Sequence, residues 1–126
     1  MPLVCDRLHE ILASKEGHVG ERVLRFYLEH VLTPGNCSMA ALLRTAIADP
    51  GSAPALRRML EDGVVASAAS MLKGREARIR AELLGAVLVG LFVVRSLVGV
   101  QPLASTSEAE VARRLGAAVD AILAAP

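Results

Sequence analysis

The run LLGAVLVGLFVVRSLVGV, Leu83 to Val100, constrains the fold more than any other part of the chain. It holds one charge, Arg95, and one hydroxyl, Ser96. As a helix it rises about 27 Å, close to the roughly 30 Å hydrocarbon core of a bilayer. It is therefore either a membrane span or a helix covered on every side by protein. Arg95 lies towards its C-terminal end, where a charge costs less than the roughly 2.5–3.5 kcal/mol of a central one. The charge alone does not decide between the two.

The neighbouring segments favour the covered helix. Apolar spacing marks five more helical stretches, at about Pro2–Ser14, Val19–Leu32, Ser38–Ala48, Ser52–Leu72 and from STSEAE onward. Met39, Leu42, Leu43, Ala46 and Ile47 follow helical spacing closely, as do Val111, Leu115, Val119 and Ile122. Such amphipathic stripes need a common core, and the run from Leu83 supplies its centre. Gly85, Ala86 and Gly90 would let another helix come close. KEGHVG, TPGN and DPG read as breaks, Gly74 as a stop, and Ser107 with Glu110 as a capping box. Gly63 inside the fourth stretch costs about 1 kcal/mol relative to Ala and marks either a bend or close approach or a glycine that is simply tolerated.

With Ala and Leu dominant, no Trp, one Tyr and two Phe, and no strand alternation, the expected fold is an all-α six-helix bundle in one domain, 1–126. Residues 1–18 are expected as a connecting helix and loop, and 19–126 as the core. The last two helices, one apolar all round and one rich in Ala, are suited to pairing with a second copy as a four-helix interface. The alternative is that both complete a monomeric core.

Net charge is +1, with 14 basic against 13 acidic residues, so no basic excess draws in a phosphate backbone. Cys5 and Cys37 are too few for a disulfide framework, and a reduced cytoplasmic chain is expected. MPLVCDRLHE does not read as a secretory leader. No phosphate loop, nucleophile–base spacing or paired carboxylates are seen, so an enzyme is not expected, nor a cofactor. Cys5 and His9 lack a third metal ligand, and no metal is assigned.

The segments GERVLRFYLEHV, ALLRTAIADPGSAPALRRMLED, ELLGAVLVGLFVVRSLVGVQPLAS and EAEVARRLGAAVDAIL, in that order, resemble the C-terminal half of TetR-type transcriptional regulators of the actinobacterial kind. The resemblance covers about Gly20 to Leu123. It implies a homodimer formed by the last two helices and a small-molecule effector pocket. Ligand binding there would relieve DNA binding by an N-terminal helix-turn-helix domain, making the parent protein a repressor. That domain is not expected within these residues, so DNA would be contacted only through it, and no membrane is involved.

On this resemblance the pocket candidates are Arg95, Tyr27, His30, Phe26, Met59, Arg44 and Leu91. Arg95 would offer its guanidinium to an acidic or carbonyl-bearing ligand; an ion pair with Glu29 or Glu61 is the alternative. Tyr27 and His30 either line the pocket as polar handles or complete a core and its rim. The dimer candidates are Leu84, Val87, Leu88, Val111, Leu115, Ala118 and Ile122. The competing reading is a small helical homodimeric structural or membrane-associated protein with no ligand.

Overall fold

The computed structural model describes residues 7, 10–14, 18–31, 37–72 and 74–124. All regular structure within them is helical. Helix α1, Val19–Phe26, turns the buried side chains of Val23, Leu24 and Phe26 inward and continues as a π turn, Tyr27–Val31. Helix α2, Cys37–Ala48, is followed by a 3-10 turn, Pro50–Ser52, where the Asp49 carboxylate accepts the Gly51 amide at 3.0 Å. With Pro54 in its first turn, α3, Ala53–Leu60, runs through a π stretch, Glu61–Val65, into α4, Ala66–Met71.

The most apolar rod spans Ala77–Val98. It consists of α5, Ala77–Leu91, and a π stretch, Phe92–Val98. Gly99 ends it at φ 76°, a left-handed conformation that glycine adopts without steric penalty. After a 3-10 turn, Leu103–Ser105, comes α6, Glu108–Leu123. The Ser107 side chain accepts the Glu110 amide at 3.2 Å, which forms one half of the expected capping box. The other half is missing because both Glu110 oxygens go to Arg113 and Arg114.

The core joins α1, α5 and α6 to the Val65–Met71 end of the run that starts at Ala53. Its fully sealed side chains include Val23, Leu24, Leu28, Leu43, Leu84, Phe92 and Val119. Ile11 and Leu12 belong to it too, so the core begins before residue 19. The broadest helix contact is between α1 and α6. Two glycines make it possible: a Cβ on Gly20 would lie 2.2 Å from the Gly116 carbonyl oxygen, and one on Gly116 would lie 2.7 Å from the Glu21 amide. Gly20 also donates its amide to Asp120 Oδ1 at 2.7 Å. The expected close approach at Gly85 and Gly90 is therefore not the tight one within this chain. A Cβ at Gly85 would make ordinary contact with Val65 at 3.7 Å, and Gly90 faces open space.

Three helices expected to run unbroken change register part-way. Gly63 sits in one of these π stretches, where the backbone leaves α geometry around a residue with no side chain to pack.

Candidate functional site

Two faces of α5 carry the features of interest. On the inner face, the buried Tyr27 hydroxyl donates to the Leu88 carbonyl at 2.7 Å. Burial raises the pKa of that hydroxyl above the ordinary phenol value, so it stays protonated as a donor. One turn on, the Arg44 guanidinium stands 5.8 Å from the centre of the buried Phe92 ring. This is cation–π geometry, which lets an otherwise exposed arginine lie against the core. Phe26 and Leu91 are buried beside Tyr27 and Phe92 in the same core, and Met59 packs against it. Tyr27 and Arg44 thus reach the Leu88–Phe92 turn, of which Leu91 is a part, while Phe26 is buried in the same core and Met59 packs against that core.

His30 lies further out. Its ring is tilted 39° to that of Phe26 at 5.3 Å, and its Nε2 is 3.9 Å from the Glu29 carboxylate. Arg95 reaches the other way, donating from Nη2 to the Thr106 carbonyl at 2.8 Å. Among the described residues it pairs with neither Glu29 nor Glu61, and its buried Nε has no hydrogen-bond partner. Arg95 therefore ties the end of the rod to the turn before α6. The Cys5 and His9 pair and the Cys37 thiol fall outside the described residues and side chains.

The apolar side chains open on the outer face differ from those expected at the interface. Leu84, Leu88 and Val111 are buried inside the protomer, Val87, Leu115 and Ile122 are partly buried, and Ala118 alone of that set is exposed. The apolar side chains left open on the rod are Ile79 at 45 %, Leu83 at 47 %, Val94, Leu97 and Val98 at 65 %, with Ala86 and Gly90 between them. Positions 79, 83, 86, 90, 94 and 97 are three or four residues apart, the spacing of a seam on a helix that packs on another helix. Ala117, Ala118 and Ala121 are open on α6. A groove of about 710 Å³ runs between the two helices, lined by Leu91, Pro102, Leu103, Thr106, Glu110, Val111, Arg114 and Leu115. A helix apolar all round gives no phase from sequence, so its open and buried faces are told apart only in the fold.

Two further clefts flank α5. One of about 360 Å³ has a floor of Leu60, Val65, Gly85, Ala86 and Val89, with Arg57, Glu61 and Glu82 around it. Another of about 290 Å³, at the end of the bundle, brings Arg80 and Asp120 among Leu12, Val19, Met71 and Leu123. Arg80 was not singled out in the sequence, yet it is buried and acts as a clamp. It donates to the Leu123 carbonyl at 2.7 Å and to the Arg75 carbonyl at 3.0 and 3.2 Å. The sequence carries no signal for it, because only the folded helix shows that Arg80 shares the inward stripe of Leu84 and Leu88.

A comparison with curated protein sequences gives no match. Among solved structures, a TetR-family regulator from Streptomyces coelicolor A3 superposes with a TM-score of 0.65 at 26 % identity, covering 95 % of this chain and 83 % of that one. Residues 17–123 match the tetracyclin repressor-like C-terminal domain, from ahead of α1 to the last residue of α6. The all-α bundle is the fold that such regulators share, and the chain belongs to this family.

Proposed function

We propose that this chain is the effector-sensing and dimerisation domain of a TetR-like transcriptional repressor, acting in the cytoplasm. The observation that carries the reading is the uncovered seam Ile79, Leu83, Ala86, Gly90, Val94 and Leu97, which lies on the longest helix of a chain in this family. A second copy turned about a two-fold axis would cover it, with Gly90 and Ala86 allowing close approach. The effector would enter between α2 and α5, where Tyr27 and Arg44 meet the Leu88–Phe92 turn. A mainly apolar molecule with one carbonyl or carboxylate suits those walls and their two polar handles. DNA would be read by a helix-turn-helix segment outside these residues.

The competing reading has one observation of its own. Ala77–Val98 is long and apolar enough to cross a membrane, with mean hydropathy 2.0, and only 33 % of its most apolar window is buried. Against a span, one side of the rod carries Leu84, Leu88 and Phe92 into the core and its first turns hold the Arg78–Glu82 ion pair.

Sedimentation of the purified chain without detergent tests the proposal. A discrete dimer is the expected result, whereas a monomer that floats with phospholipid vesicles would establish the membrane reading instead. For the effector, thermal melts against a panel of apolar carboxylic acids and ketones should find one that stabilises the dimer. Saturation at 100 times Kd adds about 2.7 kcal/mol.

A further inference from the structure

Three contacts converge on one turn of α5. The Leu88 carbonyl accepts both the Phe92 amide from its own helix and the Tyr27 hydroxyl from α1's π turn. Phe92 is sealed in the core beneath the Arg44 guanidinium. At that same residue the rod leaves α geometry and continues as a π stretch to Val98, closing with the Gly99 amide on the Val94 carbonyl, five residues back. A helix departs from α bonding where a side chain inserts into its hydrogen-bond ladder. A carbonyl oxygen has two lone pairs, so Leu88 can hold both donors. The Tyr27 hydroxyl thus shares the last α-type acceptor before the register changes at Phe92. Beyond the junction, Arg95 is fixed to Thr106, while Val94, Leu97 and Val98 lie on the open seam. One short stretch thus touches the interior at its start and the outer face at its end.

We propose that the α-to-π junction at Leu88–Phe92 is a two-state switch, held in its present register by the Tyr27 hydroxyl, that sets which apolar side chains the rod offers to a second copy. This rests on the dimer and effector reading above and supplies its coupling. Returning the stretch to α bonding shifts everything after it by one residue position, a turn of about 100°. That turn takes Arg95 off Thr106 and re-aims Val94, Leu97 and Val98. A ligand whose carbonyl or carboxylate oxygen accepts the Tyr27 proton releases Leu88 and shifts the population towards the α register. The same region would then bind the effector and set the dimer.

The test compares the whole chain with its Tyr27→Phe variant, by sedimentation equilibrium and by hydrogen exchange resolved along the sequence. The expected result is a dimer dissociation constant changed about tenfold. Altered exchange should be confined to the stretch from Phe92 to Thr106. An unchanged dimer constant, or exchange that rises equally in every helix, would overturn the switch and leave Tyr27 as packing. Should the variant not fold, deletion of Val93 removes one residue from the π stretch with the tyrosine intact. Tyr27 is the one tyrosine and the chain has no tryptophan, so its emission reports its own hydroxyl. Changes in both emission and dimer constant then support the switch, and an unchanged dimer constant overturns it. A monomeric wild-type chain would refute the dimer reading itself, which the first run reveals before any variant is compared.

Discussion

Gly116 has almost no freedom to be anything else. A methyl group there would press on the backbone of α1 at Glu21, which no side-chain rotation can relieve. Gly116→Ala is therefore expected to cost about 1–3 kcal/mol, the usual range for overpacking, or more, since backbone must move. Urea unfolding followed by far-ultraviolet circular dichroism checks it, with Gly85→Ala, where a Cβ would make only ordinary contact with Val65 at 3.7 Å, as the comparison that should lose no stability. Glu110 makes a different residue-level case. Hydrogen bonds from Arg113 and then Arg114 hold its carboxyl down to about 2, from an ordinary 4.5. Because the folded value lies below the unfolded one, its contribution is complete above the unfolded pKa and is lost as pH falls from 4.5 towards 2. Glu110→Gln should flatten the melting temperature against pH in that window. Half-molar salt should shrink the difference, as for any exposed pair. Neither residue stood out by type alone. The capping role of Ser107 was legible because caps are local, whereas the Gly20–Gly116 crossing joins positions that only the folded chain brings together.

At the scale of elements, the helices were legible in their order and composition, and their faces only in part. α6 shows its stripe plainly, since Val111 and Val119 are buried while Arg113 and Arg114 are exposed. α5 shows none, because polar residues are absent from the turns where a face would have to be distinguished. Its phase is set by what packs on it: α6 near Leu84 and Leu91, and the Glu61–Val65 stretch near Gly85. The π stretches were hidden for a related reason, since the change in register depends on partners such as Tyr27 and Leu88, 61 residues apart. Leu83→Glu tests the face that the structure leaves open. An exposed position tolerates substitution within about 0.5 kcal/mol, so the variant should fold. Placed in a dry seam, however, the added charge should convert the dimer to a monomer in sedimentation. Leu84→Glu, one residue away but buried, should fail to fold at all.

For the molecule as a whole, the family match and the helical bundle agree, and the run that opened as a possible span becomes the element on which the others are arranged. Tyr27 and Arg44 do come to one turn of the rod, while Arg95, just beyond it, is turned to the Thr106 carbonyl instead. What the sequence did not reveal is that the broadest helix contact links nearly the first and nearly the last helix. The bond between the Gly20 amide and Asp120 spans 100 positions. That separation has a consequence for synthesis. As the chain leaves the ribosome, Val23 and Leu24 emerge early, yet α6, which covers them, emerges last. Until then the nascent chain exposes adhesive surface and depends on a chaperone or on speed. A message truncated just before Glu108 should yield aggregates in pelleting assays, while the complete chain stays in the supernatant.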